Sequence, residues 1–246
     1  MTRVAIGAVA GLIVLASAGV AGADWVQGDP FKMHNPQLPD PNGWDVGWCW
    51  TFLADDFQCT QSGPITDVHL WVSVQGDGTP VDITGIHLSI HSDVPAGSGT
   101  PSHPGAIQWQ QDFTPGQWTM NLYGTGDEGW LAPWYAISLQ HDHVNFYQIN
   151  ITDIADPFVQ EQGTIYWLDV QGHVSAVSAA VGWKTSLNHW NDDAVWWDSD
   201  TQKWIGLEDP SSGQSLDMAF VITPEPATLS LLALGGMAAL VRRKRK

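Results

Sequence analysis

Between Asp24 and Thr223 the apolar side chains recur with a period of two. Val68, Leu70, Val72 and Val74 alternate with His69, Trp71 and Ser73, which predicts an extended strand with one apolar face. Ile86, Leu88 and Ile90 alternate in the same way with His87, Ser89 and His91. So do Tyr147, Ile149 and Ile151 with Gln148 and Asn150, and Tyr166, Leu168 and Val170 with Trp167 and Asp169. Leu216, Met218, Phe220 and Ile222 form a last run, and Trp196 to Trp204 reads as a hairpin turning at Asp198-Ser199-Asp200. Gly- and Pro-rich punctuation separates the runs, notably Gly76-Asp77-Gly78, Pro104-Gly105, Pro115-Gly116, Gly124-Thr125-Gly126 and Pro210-Ser211-Ser212-Gly213. No sustained helical period and no internal repeat interrupts them. The expectation is an all-β domain over residues 24–223, an antiparallel β-sandwich of jelly-roll type.

Two apolar stretches lie outside this body and have a different character. Residues 1–23 carry Arg3, an apolar run from Val4 to Val20 and then Ala21-Gly22-Ala23, the small-x-small pattern that precedes signal-peptidase cleavage. Residues 224–246 open with Pro224-Glu225-Pro226, continue through an apolar stretch to Val241, and end in Arg242, Arg243, Lys244, Arg245 and Lys246. As a helix, the 15 residues from Ala227 to Val241 would reach about 22 Å, short of a hydrocarbon core of about 30 Å. The basic end would stay cytoplasmic and the body outside.

The order Pro-Glu-Pro, short apolar helix, basic cluster resembles the PEP-CTERM sorting signal of Gram-negative bacteria that make extracellular polysaccharide. That resemblance implies export, a transient tether in the inner membrane through the C-terminal segment, and recognition by an exosortase that cuts near the motif. The protein would then stand at the cell surface or in the extracellular matrix. The body is similar, more loosely, to uncharacterised secreted domains that precede such signals. The similarity is carried by Ala54 to Cys59, Gly63 to Trp71, Leu88 to Asp93, Ile165 to Val170 and Gly182 to Ser186. It implies an extracellular domain and no particular chemistry.

Charge sharpens the partition. The net charge is −17, yet the body holds 25 acidic groups against three basic ones, Lys32, Lys184 and Lys203. Such a surface has no footprint for a phosphate backbone, so nucleic acid is excluded as a partner, and acidic polymers are repelled unless divalent cations bridge them. Cys49 and Cys59 lie in the exported body, where an oxidising exterior favours a disulfide closing an 11-residue loop, worth about 2–3 kcal/mol on chain-entropy grounds.

Candidate chemistry comes from two excesses. All 15 Trp fall in the body, and Trp71, Trp167 and Trp196, flanked by polar groups, are candidate stacking surfaces for sugar rings. The acidic residues are 22 Asp and four Glu; Asp55, Asp56, Asp198 and Asp200 are candidate ligands of a structural Ca²⁺. His87 with His91, and His141 with His143, could present imidazole pairs on one face. No nucleophile elbow, zinc-protease motif or phosphate loop is present, so no catalytic residue is assigned. The leading expectation is a non-enzymatic surface or matrix protein contacting polysaccharide. The alternative is a calcium-assisted polysaccharide hydrolase or lyase on the same scaffold, whose carboxylate pair would leave no local signature. An adhesin, marked by a large exposed apolar patch, is a third.

Overall fold

A computed structural model describes residues 24–49, 51–78, 83–97, 100–175 and 180–224. The residues expected at the signal cleavage, Ala21 and Ala23, lie outside them, as do Glu225, Pro226 and the basic end Arg242, Arg243, Lys244, Arg245 and Lys246. Pro224 is the last described residue. Among the described residues no helix is long and apolar enough to cross a membrane.

The chain is all-β. Its strands are β1 (Trp44–Gly47), β2 (Leu53–Gln58), β3 (Gly63–Pro64), β4 (Asp67–Val74), β5 (Ile83–Val94), β6 (His103–Phe113), β7 (Thr119–Ala132) and β8 (Ile137–Ile151). After these come β9 (Val159–Gln160), β10 (Ile165–Val174), β11 (Val181–Ser186), β12 (Val195–Asp198), β13 (Lys203–Gly206), β14 (Asp217–Met218) and β15 (Phe220–Thr223). One layer is an antiparallel six-stranded sheet in the order β13-β12-β2-β10-β5-β6, and the other has seven strands, β14-β11-β1-β7-β8-β4-β15. A two-residue pairing of β3 with β9 completes the set.

The apolar alternation decides which faces meet. Leu70, Val72 and Ile149 from the seven-stranded sheet join Phe57, Leu88, Leu168 and Val170 from the other in one continuous buried cluster. That face of each strand is the sandwich core.

The seven-stranded layer departs from the expected open sandwich. β4 pairs with β8 on one edge and, through Val72 to Val74, with Val181 to Trp183 of β11 on the other, so β11, β1, β7, β8 and β4 form a closed ring. Within it β1 runs parallel to β7, with Asp45 opposite Trp130, against the all-antiparallel expectation. A ring of few strands has an interior that side chains must fill. The polar face of β4, which alternation alone would assign to solvent, points into that interior.

Two stretches read as turns are strand. Gly124-Thr125-Gly126 sits inside the 14-residue β7, which pairs with β8 through bulges on either side of these residues. The reason is close approach: a Cβ on Gly124 would stand 2.5 Å from the Phe146 ring. Pro104-Gly105 likewise lies in β6, where the Gly105 carbonyl accepts from His91 Nδ1 at 2.9 Å. The final alternating run is also broken. Ala219 separates β14 from β15, its N–H donating to the Lys184 carbonyl and its own carbonyl accepting from Trp71 N.

The expected disulfide is absent, and Cys49 and Cys59 are free thiols. Trp48 O accepts from Gly172 N near one end of β10, whereas Cys59 O accepts from Gly163 N just before the other. At about 3.3 Å per strand residue the two cysteines are separated by about 20 Å or more, far beyond the ~7 Å Cα separation a disulfide tolerates.

Candidate functional site

Each strand of the ring sends a polar side chain inward at one level: Asp45 from β1, Ser73 from β4, Glu128 from β7, His143 from β8 and Lys184 from β11. Asp45 and Lys184 are directly opposite on neighbouring antiparallel strands. Lys184 Nζ lies 2.6 Å from Glu128 Oε2 and 3.2 Å from Asp45 Oδ2. His143 Nε2 reaches Asp45 Oδ2 at 3.0 Å and Glu128 Oε2 at 3.1 Å, and its Nδ1 meets Asp142 Oδ2 at 3.1 Å. Ser73 Oγ donates to Glu128 Oε2 at 3.1 Å. The side chains of Asp45, Glu128, His143 and Lys184 are all 0% exposed.

Apolar walls close this level on both sides. Gly47 and Gly182 follow or precede Asp45 and Lys184 by two residues on the same face, and the indole of Trp130 fills the space they leave. A Cβ on Gly182 would stand 2.8 Å from it. Trp130 also packs edge-on against His143, ring centroids 6.3 Å apart. Phe146 lies on another side, its ring centroid 5.0 Å from Lys184 Nζ. Farther along the ring, Trp71 packs edge-on to Trp25 and Tyr123.

Electrostatics in this buried level follow from the pairings. Burial pushes the Asp45 carboxyl up, but Lys184 and His143 together outweigh it and hold it below the ordinary range. Burial raises Glu128, and the neighbouring Asp45 adds to that, so its carboxyl lies above its usual range. Burial alone would lower His143; its hydrogen bonds to Asp45, Glu128 and Asp142 prevail and raise it to about 10, which keeps the imidazole cationic. Two oxygens, Asp45 Oδ1 and Glu128 Oε1, are buried without a hydrogen-bond partner.

Among the described residues, Asp45, Glu128 and His143 are the group whose ligand atoms lie close enough for one metal ion, within 4.8 Å of one another. The Lys184 ammonium already supplies positive charge to both carboxylates there. Asp55, Asp56, Asp198 and Asp200 are not brought into that group. Asp55 Oδ2 accepts from Gln37 Nε2 and Met218 N, both at 2.7 Å, and Asp56 accepts from Asn191 at 2.5 Å. Asp198 accepts from Asp200 N and Thr201 Oγ1 in the β12–β13 turn. The His pairs also diverge. His141 is exposed on Asp127 while His143 is buried; His87 pairs with Asp112 while His91 lies 3.4 Å from Asp169.

Beyond Trp130, at the mouth of the ring, is a cavity of about 280 Å³. Trp130, Trp134 and Tyr135 supply its aromatic walls, with Gln75, Cys49 and Ile137 among the other lining residues. A 3-10 turn, Pro133–Tyr135, presents two of these rings. Pro133 starts it with a preset φ, and Ala136 ends it in the left-handed region at φ 50°, donating to the Pro133 carbonyl. Tyr135 is 63% exposed, and Trp134 packs against Trp196 with centroids 6.1 Å apart. The indole N–H of Trp134 has no partner.

The tryptophans expected to stack on sugars therefore separate. Trp71 is 0% exposed, because its face is the inside of the ring. Trp167 is 0% exposed too, packed with Ala54, Val195 and Trp204, its N–H donating to Asp93. Trp196 is half-buried beside the mouth. Reading the sequence did not single out Trp130, Trp134 or Tyr135. The one available signal was Trp134-Tyr135 immediately after Pro133.

The model of a domain of unknown function, DUF7901, matches residues 33–223, and that of the PEP-CTERM protein-sorting motif matches residues 223–246. No curated protein and no solved structure matches the chain.

Proposed function

The chain belongs to the DUF7901 domain family and carries a PEP-CTERM sorting motif, and from that premise we propose that its body is a surface or matrix domain that binds neutral saccharide at the aromatic mouth of the strand ring. The PEP-CTERM motif marks an exported protein processed by exosortase. Residues 1–23 are a cleaved signal, residues 24–223 the extracellular domain, and residues 224–246 a sorting segment that tethers the protein to the inner membrane until processing. N-terminal sequencing of the exported protein should begin at Asp24; a later or earlier start moves that boundary.

The cavity walled by Trp130, Trp134 and Tyr135 carries the saccharide reading. The exposed Tyr135 ring and the half-buried Trp134 indole suit the C–H faces of sugar rings, while the Gln75 amide suits hydroxyls. Its volume is near the lower end of ligand sites, about the space of one or two sugar rings. With 25 acidic groups against three basic in the body, a neutral polymer is favoured over an acidic one. The experiment is equilibrium binding of the exported protein to a panel of neutral and acidic polysaccharides. Retention by a neutral polymer is the expected result, and indifference to the whole panel contradicts the reading.

A further inference from the structure

We propose that Lys184 and Asp45 become joined by an intramolecular amide bond, formed without any other enzyme and with Glu128 as proton carrier. The nucleophile and electrophile are already in register. Lys184 and Asp45 face each other across β11 and β1, with Nζ 3.2 Å from Oδ2. Such pre-positioning replaces a bimolecular encounter by an intramolecular one, with effective concentrations far above any in solution.

The surroundings supply the remaining parts. Glu128 Oε2, 2.6 Å from Nζ, is placed to take a proton from the ammonium. Glu128, hydrogen-bonded to Asp45, passes that proton on to the Asp45 carboxylate, and the freed amine attacks the side-chain carbonyl carbon of the resulting acid while His143, 3.0 Å from Oδ2, stabilises the negative charge that develops on that oxygen. Glu128 takes a second proton from the attacking nitrogen and delivers it to the departing oxygen, which leaves as water while the third proton stays on the amide nitrogen. In balance, Lys–NH₃⁺ and Asp–COO⁻ give one amide and one water: the N–C bond forms, one C–O bond breaks, and Glu128 ends as it began. No oxidant, metal or activated co-reactant is needed.

Three observations favour condensation over a permanent ion pair. The body has three basic residues, and one of them is spent at a site that is 0% exposed. Asp45 Oδ1 and Glu128 Oε1 are buried without partners, a deficit that a settled structural ion pair does not ordinarily leave. Trp130 and Phe146 wall the site, so condensation removes two charges whose side chains are 0% exposed. The bond would tie positions 139 residues apart in a domain whose two cysteines do not meet.

Mass spectrometry of the denatured exported protein tests this. The chain should be one water lighter than its processed sequence, and digestion should yield a branched peptide joining Lys184 to Asp45. Lys184→Arg and Glu128→Gln should both restore the full mass, with circular dichroism showing that each variant is folded. A wild-type chain at full mass, with Lys184 and Asp45 in separate linear peptides, overturns the proposal whether or not the variants fold. So does a branch that maps to Glu128. A Glu128→Gln protein that still loses the water removes Glu128 from the chemistry.

Discussion

Asp56 shows at the scale of one residue how this acidic body manages its charge. Burial is the main cause that raises its pKa to about 8, and Asp192 and Asp217 add to it against the hydrogen bond from Asn191. Asp55 is raised by burial and by Asp217 and Asp56, and Asp217 is raised to about 6. An acid with a raised folded pKa stabilises the fold at low pH, and that contribution is lost as pH climbs from 3.8 through about 8. His34 acts in the opposite sense, lowered by burial from 6.5 to about 4, so its contribution grows with pH and is complete by 6.5. Between pH 6.5 and 8 the Asp56 effect runs without that opposition and in the same direction as that of His143, raised from 6.5 to about 10, so Tm should fall across the window. Asp56→Asn keeps an acceptor for the Asn191 amide and should make the slope shallower, leaving the His143 part. It should also raise Tm at pH 8, by about 2–4 °C for each kcal/mol recovered. Scanning fluorimetry across the window checks this, and a slope unchanged in the variant rejects Asp56 as its source.

β7 is the element on which sequence and structure differ most. Period-two apolar alternation marked β4, β5 and β10 because one face of each packs into the sandwich core. β7 has its polar and glycine residues where it curls and bulges, and those residues carry the same local signature as a turn. Gly124→Ala separates the two readings. In a turn the added methyl would find room, whereas in β7 it meets the Phe146 ring and should cost about 1–3 kcal/mol. Urea unfolding measures it, and a neutral substitution contradicts the packing of Phe146 over β7. The inward polar level was illegible for a different reason. Asp45, Glu128, His143 and Lys184 are spread over 139 positions, and no motif joins them. The clue was scarcity: Lys184 is one of three basic residues in the body and sits inside a strand-like run, Val181 to Ser186.

For the molecule as a whole, ring closure is what alternation could not reveal. Trp71 is on the face expected from its strand, opposite Val68, Leu70 and Val72, but curling turned that face into a second interior and left Tyr135 exposed at the mouth. Export and sorting were legible because they depend on short contiguous signals; the binding surface depends on strands that meet only in the fold. Tyr135 is the sharpest probe of that surface, being largely exposed and taking no part in the buried charged level beneath Trp130. The decisive measurement is the affinity of the exported Tyr135→Ala protein for a neutral polysaccharide that the wild type retains, with Tm recorded in parallel. A loss of about tenfold at unchanged Tm is expected for a lost stacking face. Wild-type affinity in the variant would contradict saccharide binding at the mouth of the ring.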